Sequence, residues 1–184
     1  MSNIYAFLAD GLEEVECLTV VDILRRAGLT VTMVSVTGRL SVTGSHAITI
    51  MADRLFEECD FSDADMLFLP GGMPGTGSLA SHEGLKALIL SSDAGGKYLA
   101  AICAAPSVYG GLQLLSGKHV TCYPGFEAKC TGAVIEKAGV VTDGRITTAR
   151  GLGFAVDLGL ELVRILSGEE AAAAIKKAIQ HPEA

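Results

Sequence analysis

The feature that most constrains this chain is a regular alternation of short apolar runs with longer segments of helical periodicity. Continuous apolar strands are predicted at residues 3–9, 29–37, 65–69 and 97–102. Strands that lack polar alternation are buried on both faces, which is typical of a parallel sheet covered by helices. The pattern therefore predicts an α/β fold with a mostly parallel central sheet between layers of helices.

The remaining elements fit the same architecture. Spacing of apolar residues predicts helices at 13–27, 79–91, 153–166 and 171–179, with a further helix-like segment from Pro106 to Leu115. Turn signals predict short strands at 48–51 and 119–123 and a hairpin at 140–149. A length of 184 residues is typical of one domain, so residues 1–184 are interpreted as a single unit.

Composition excludes several classes of function. The formal net charge of −7 argues against a nucleic-acid or anionic-membrane surface. The first apolar run is too short to span a bilayer. Five cysteines without a Cys-x-x-Cys pair or zinc-finger spacing indicate reduced thiols in the cytoplasm and no metal site. A hydrophobic content of 49% with 19% charged residues favours a homo-oligomer.

Cys103 is the residue with the strongest chemical signal. It ends the strand predicted at 97–102, and a helix-like segment follows at Pro106. A cysteine at a strand-to-helix turn meets free backbone N–H groups and the positive end of the helix dipole, which favour a thiolate. The position therefore predicts a nucleophile or a redox sensor, and the alternative is a small buried core residue.

Two other loops leave strand ends at the same predicted edge of the sheet. Gly71 and Gly72 follow the strand at 65–69 and either aim N–H groups at a developing negative oxygen or form only a tight turn. Glu13 and Glu14 are explained by stabilisation of a helix N-terminus. Glu16 lies where the helix turns its apolar face inward, and a carboxyl group in a dry pocket can stay protonated and shuttle a proton.

Five segments together resemble the DJ-one/ThiJ/PfpI superfamily, and in particular the branch that contains the Parkinsonism-associated protein DJ-one and its bacterial relatives. Each segment is weak evidence alone, but in this order they are specific and span most of the chain. They are Asp10-Gly11-Leu12-Glu13-Glu14-Val15-Glu16, Val21-Asp22-Ile23-Leu24-Arg25-Arg26-Ala27-Gly28, Leu69-Pro70-Gly71-Gly72, Ala101-Ile102-Cys103-Ala104-Ala105-Pro106 and Thr148-Ala149-Arg150-Gly151-Leu152-Gly153.

The resemblance implies a flavodoxin-like three-layer α/β/α sandwich with Cys103 on a nucleophile elbow. It implies that Glu16 is a protonated partner of the sulfur and that Gly72 and Ala104 supply oxyanion N–H groups, with Gly71 and Arg150 as further candidates. It also implies a homodimer and cofactor-independent activity on glyoxal-type substrates, either conversion of methylglyoxal to lactate or deglycation of its early adducts. Protection from oxidative stress and chaperone-like behaviour are claimed for the family as well.

Two positions depart from relatives within that superfamily. Human-like members carry a histidine in the loop where this chain has Tyr123, so a mechanism with histidine as general base is not expected. Glu16 then becomes the main proton carrier, with Tyr123 as a hydrogen-bond donor. The protease branch has a histidine directly after the nucleophile, and Ala104 stands there, which argues against a peptidase.

The sequence leaves two hypotheses open. In the first, Cys103 attacks the aldehyde carbon of a small α-oxoaldehyde while Glu16 transfers protons. In the second, Cys103 is the oxidisable thiol of a redox sensor or protective protein that is not an enzyme.

Overall fold

A computed structural model describes residues 2–182 of the chain. Its centre is a seven-stranded sheet with the order β10-β11-β7-β6-β1-β2-β5. Every neighbouring pair in this sheet is parallel except β10 with β11, which is antiparallel. The predicted mostly parallel sheet is confirmed.

The strands and helices alternate along most of the chain. The strands are β1 (Asn3–Leu8), β2 (Thr30–Ser35), β3 (Ser41–Thr43), β4 (Thr49–Met51), β5 (Arg54–Leu55), β6 (Met66–Leu69), β7 (Tyr98–Ile102), β8 (His119–Val120), β9 (Val134–Ile135), β10 (Val140–Asp143) and β11 (Ile146–Ala149). The helices are α1 (Glu14–Arg26), α2 (Gly75–Ser81), α3 (Glu83–Ala94), α4 (Pro106–Gly111), α5 (Ala155–Ser167) and α6 (Glu169–Ala178). Two further pairs, β3 with β4 and β8 with β9, lie outside the main sheet.

The core lies on both faces of the sheet because alternate residues of each strand point to opposite sides. In β1, Ile4, Ala6 and Leu8 pack in one cluster with α1, α5 and α6. Tyr5 and Phe7 pack in the other cluster, which contains residues of α2, α3 and α4. The result is the expected three-layer α/β/α sandwich.

Two predicted elements differ from the structure. The helix predicted at 79–91 is interrupted at His82, whose backbone is extended and whose ring nitrogen accepts a hydrogen bond from the Leu85 N–H at 3.0 Å. His82 therefore begins α3 instead of continuing α2. The strand predicted at 119–123 is regular only over β8, because it pairs with the two residues of β9 and not with the main sheet.

The strand order identifies the edge of the sheet at which ligands bind in folds of this kind. β1 lies between β2 and β6, so the chain winds outward from this point in both directions. In open α/β sheets, ligands bind beyond the carboxyl ends of the strands at such a switch point. The carboxyl ends of β1, β6 and β7 meet there and carry the three loops identified from the sequence. None of the helices within residues 2–182 is both long and apolar enough to cross a bilayer.

Candidate active site

Cys103 lies on a strained turn at the end of β7. Its φ angle is 65°, a left-handed conformation that a residue with a side chain rarely adopts. The turn is fixed on both sides, since the Cys103 N–H donates to the Ala149 carbonyl at 2.9 Å and the Cys103 carbonyl accepts from the Tyr123 N–H at 2.8 Å. Strain held by such bonds is typical of functional positions, and the half-buried side chain is reachable from the pocket.

Glu16 reaches the same place from the first turns of α1. It is only 1% exposed, and its carboxylate accepts the Gly71 N–H at 3.1 Å. The Leu152 N–H and the Cys103 side chain also act on this carboxyl group, and both lower its pKa. The structure thus brings together the cysteine and the glutamate that the sequence singled out.

The glycine pair after β6 lies against both groups. A Cβ atom on Gly71 would stand 2.5 Å from the Cys103 Cβ and 2.6 Å from a Glu16 carboxylate oxygen, so no side chain fits there. Gly72 has a φ of 92°, which favours glycine. The N–H groups of Gly72 and Ala104 act to lower the pKa of the Cys103 thiol, so the turn also offers donors to the sulfur.

The pKa values of the pair depart from the sequence-based expectation. Burial raises the pKa of Glu16 to about 7, against the lowering effect of its hydrogen bond with Cys103. Burial and the neighbouring Glu16 carboxylate raise the pKa of Cys103 to about 12. The predicted lowering of the thiol pKa by the helix N-terminus is therefore wrong, because these two effects outweigh the N–H donors. Between those two values the pair holds one proton, and each of its two acceptor atoms has backbone donors.

A pocket of about 350 Å³ opens onto the Cys103 sulfur. Besides Glu16, Gly72, Ala104 and Tyr123, its lining includes residues that the sequence did not single out: Glu13, Ser45, Met73, Phe126 and Leu152. Glu13 and Leu152 lie within quoted motifs and Met73 directly follows one, which was a signal for all three. Ser45 lies in the turn between β3 and β4, far from Cys103 in the chain, so no local pattern connects the two residues. Within the described residues, the pocket lining contains no histidine.

Glu13 and Glu14 do more than stabilise a helix terminus. Glu13 makes no capping hydrogen bond with its side chain; it accepts the Ser45 hydroxyl at 3.2 Å. Glu14 is 2% exposed and accepts the His46 N–H at 2.8 Å and the Ile48 N–H at 3.3 Å. Burial acts to raise the pKa of Glu14, but these backbone donors and the His46 ring lower it to about 2. The two carboxylates hold the β3–β4 hairpin against α1.

The remaining two predicted residues lie at the edge of the site. Tyr123 is half exposed and lines the pocket. Arg150 does not line it: its guanidinium lies 3.4 Å from the Lys137 carbonyl, and it borders an adjoining pocket of about 280 Å³ that shares Tyr123 and Leu152. A direct role of Arg150 at the sulfur is therefore not supported by its position.

Comparisons with known proteins agree with this geometry. The model of the DJ-1/PfpI family matches residues 2–165. Protein DJ-1 homolog B of Arabidopsis thaliana is 38% identical over 90% of this chain, which spans only 38% of that longer protein. Protein dj-1beta of Drosophila melanogaster is 33% identical over 94% of this chain and 93% of its own length. The structure of oxidized Toxoplasma gondii DJ-1 superimposes with a TM-score of 0.94 at 30% identity, covering 98% of both chains.

Proposed function

We propose that this chain, which belongs to the DJ-1/PfpI family, is a cysteine-dependent, cofactor-independent glyoxalase or deglycase. Its substrates are α-oxoaldehydes such as methylglyoxal, or their early adducts. Five cysteines that are all free suit the cytoplasm, where we place it, and a role in oxidative or carbonyl stress.

One observation carries the proposal. The Cys103 sulfur, the Glu16 carboxyl group and the N–H groups of Gly72 and Ala104 converge at one pocket. This is the set that addition to an aldehyde needs: a nucleophile, a proton carrier and donors for the developing negative oxygen. A volume of about 350 Å³ suits a small substrate and excludes a large rigid one.

In the reactive form, the shared proton lies on Glu16 and the negative charge lies on the sulfur. The Cys103 Sγ attacks the aldehyde carbon, and a C–S bond forms as the carbonyl π electrons move to oxygen. The N–H donors stabilise that oxygen, and the Glu16 proton neutralises it. The product is a hemithioacetal, and Glu16 is left as a carboxylate.

Glu16 then acts as the base. It removes the proton from the carbon bonded to sulfur, which gives an enediol, and returns it to the neighbouring carbon, while the hydroxyl proton moves from the first oxygen to the second. The ketone thereby becomes an alcohol and the hemithioacetal becomes a thioester. Water cleaves the thioester. The sum is one methylglyoxal and one water converted to one lactate, with Cys103 and Glu16 restored.

The test is lactate release from methylglyoxal by the purified protein. Replacement Cys103→Ser should abolish turnover, because the hydroxyl is a far weaker nucleophile at neutral pH. Cys59→Ser is the matched control, since this half-buried thiol lies outside the pocket and should keep full activity. Equal turnover in Cys103→Ser and wild type would refute the mechanism.

A second candidate function uses the same sulfur as a redox sensor. The N–H groups of Gly72 and Ala104, which act to lower the pKa of the Cys103 thiol, would equally stabilise a sulfinate. Mild peroxide followed by mass spectrometry should then add two oxygens selectively at Cys103. Even oxidation of all five cysteines would contradict this function.

We also propose that the chain is a homodimer. Large apolar side chains remain exposed on α1 and on the β3–β4 hairpin, which Glu14 holds against α1. They are Val15 at 47%, Leu18 at 40%, Ile48 at 54% and Met51 at 59%. Large exposed apolar side chains on two adjoining elements are typical of an interaction surface. Light scattering of the wild type should give twice the 19.0 kDa chain mass. The Ile48→Glu variant should give the mass of a single chain. A monomeric wild-type protein at micromolar concentration would refute the dimer.

A further inference from the structure

The Cys103 pocket has a neighbour, the cavity of about 280 Å³ that Arg150 borders. This Arg150 pocket shares Tyr123 and Leu152 with the Cys103 pocket, and its lining also includes Phe154. We propose that Arg150 binds the anionic end of the substrate, so that the preferred substrates are α-oxoaldehydes that end in a carboxylate. The inference rests on the proposed function for the reacting aldehyde and adds the recognition of the other end.

The sheet places Arg150 beside Cys103. In the parallel pair of β7 and β11, Ile102 lies opposite Ala149, and the Cys103 N–H donates to the Ala149 carbonyl at 2.9 Å. Cys103 and Arg150 are therefore the next residues on two neighbouring strands, which lie about 5 Å apart in a sheet. A substrate bonded to the Cys103 sulfur has to extend by only a few bonds to meet a side chain as long as that of arginine.

The loop after Arg150 connects the two pockets. A Cβ atom on Gly151 would stand 3.4 Å from the Tyr123 ring and 4.0 Å from a Glu16 carboxylate oxygen, so the backbone of Gly151 lies close to both side chains. Leu152, the next residue, lines both pockets together with Tyr123. Both of these side chains are about half exposed. Their apolar surfaces between Glu16 and Arg150 suit a short chain of methylene groups.

The charges on the walls of the two pockets favour one orientation of an anionic substrate. The Cys103 pocket is lined by Glu13 and Glu16 and by no lysine or arginine, and Arg150 is the charged residue of the other pocket within residues 2–182. The Glu13 carboxylate and the negative charge of the Cys103–Glu16 pair repel an anionic end, whereas the guanidinium attracts it. The aldehyde therefore lies at Cys103 and the carboxylate at Arg150.

The Arg150 guanidinium is available to such a carboxylate. It has five N–H donors, and its contact with the Lys137 carbonyl is a long one of 3.4 Å. The ion pairs found in the described part of the chain join other side chains. Its backbone is fixed, since the Arg150 N–H donates to the Gly139 carbonyl at 2.9 Å. A planar guanidinium in this position can hold a carboxylate with two parallel hydrogen bonds.

The site thus requires an α-oxoaldehyde at one end, a short apolar linker and a carboxylate at the other end. The compound 4,5-dioxovalerate has all three, because two methylene groups join its ketone to its carboxylate. The steps proposed for methylglyoxal apply unchanged to its aldehyde and ketone. Their sum is one 4,5-dioxovalerate and one water converted to one 2-hydroxyglutarate.

Substrate preference tests the inference. The comparison is the kcat/KM of acid formation from 4,5-dioxovalerate and from 5-methyl-2-oxohexanal, a neutral isostere with an isopropyl group in place of the carboxylate. The wild type should favour 4,5-dioxovalerate by roughly 10-fold, as expected for charge-assisted hydrogen bonds. Arg150→Met should remove this preference, and Arg150→Lys should retain part of it. Lys137→Met is the matched control, since the exposed Lys137 carries the same charge but lines neither pocket.

The ratio of the two kcat/KM values is measured on one preparation, so general damage to a variant changes both values alike. Lys137→Met should keep the wild-type ratio. Equal kcat/KM values for the two substrates in the wild type, or an unchanged ratio in Arg150→Met, would overturn the inference while methylglyoxal turnover still supports the proposed function.

A second measurement does not depend on turnover. In the wild type, 2-hydroxyglutarate should slow the alkylation of Cys103 by iodoacetamide more than 2-hydroxy-5-methylhexanoate does, and Arg150→Met should abolish the difference. If no oxoaldehyde yields an acid, the proposed function is refuted and this protection alone decides the anion site. Equal effects of the two acids in the wild type would then overturn the site as well.

Discussion

Replacement Glu16→Gln tests whether the carboxyl group activates the Cys103 sulfur or merely repels a thiolate. In the wild type the pair loses its first proton near the pKa of about 7 that burial gives Glu16. Between the pKa values of about 7 and about 12 the pair holds one proton, and the proposed mechanism places that proton on Glu16 and the negative charge on the sulfur. Glutamine keeps the size of the side chain but has no proton to give.

The expected magnitude follows from the two titrations. With a pKa of about 7, the pair is half ionised at pH 7. Without the carboxyl group, the thiol ionises no more easily than a free cysteine of pKa ~8.5, which leaves ~3% thiolate at that pH. With the charge of the ionised pair wholly on the sulfur, as the proposed mechanism places it, alkylation of Cys103 by iodoacetamide should slow by at most roughly 15-fold at pH 7, with the midpoint of its pH profile raised by at least ~1.5 units.

Glu13→Gln is the matched control, and it should shift the alkylation midpoint in the opposite direction. The Glu13 carboxylate raises the pKa of Glu16 through its charge, so its removal should move the alkylation midpoint to lower pH. The measurement is the alkylation rate at Cys103 from pH 5 to 10, followed by mass spectrometry. Faster alkylation of Glu16→Gln than of wild type at pH 7 would refute the shared-proton reasoning, since it would show that the carboxylate only opposes ionisation.

Two further predictions concern the scaffold of the site. Hydrogen bonds lower the pKa of Glu14 from 4.5 to about 2, so its ionised form stabilises the fold above pH 5 by at most about 3 kcal/mol, and that contribution fades as pH falls toward 2. In urea unfolding, Glu14→Gln should lose more free energy of unfolding at pH 7 than at pH 3, and the exposed Glu83→Gln should change it little. Equal losses of free energy at both pH values would contradict this account. In Gly71→Ala the new Cβ would crowd Cys103, so lactate release should fall roughly 100-fold. Gly153→Ala, where nothing lies within 4 Å, should keep wild-type turnover, and equal rates in the two variants would rule out the crowding.

The sequence predicted the layers better than the ends of the elements. Continuous apolar strands such as β1 and β6 have to be buried on both faces, which requires helices on both sides of the sheet. The break at His82 was not predictable from apolar spacing, because it depends on a ring nitrogen that accepts the Leu85 N–H. The short length of β8 was likewise not predictable, because β8 pairs with β9, which comes later in the chain.

The sequence by itself determined the sandwich and the place of Cys103, because apolar periodicity and a strand-to-helix turn are local properties. Only the tertiary structure decided the surroundings of the sulfur. It places Glu16 against Cys103, uses Glu14 to hold a hairpin, and keeps Arg150 out of the Cys103 pocket. The physical reason is that pKa values and contacts depend on distances through space, which the spacing of residues along the chain does not reveal.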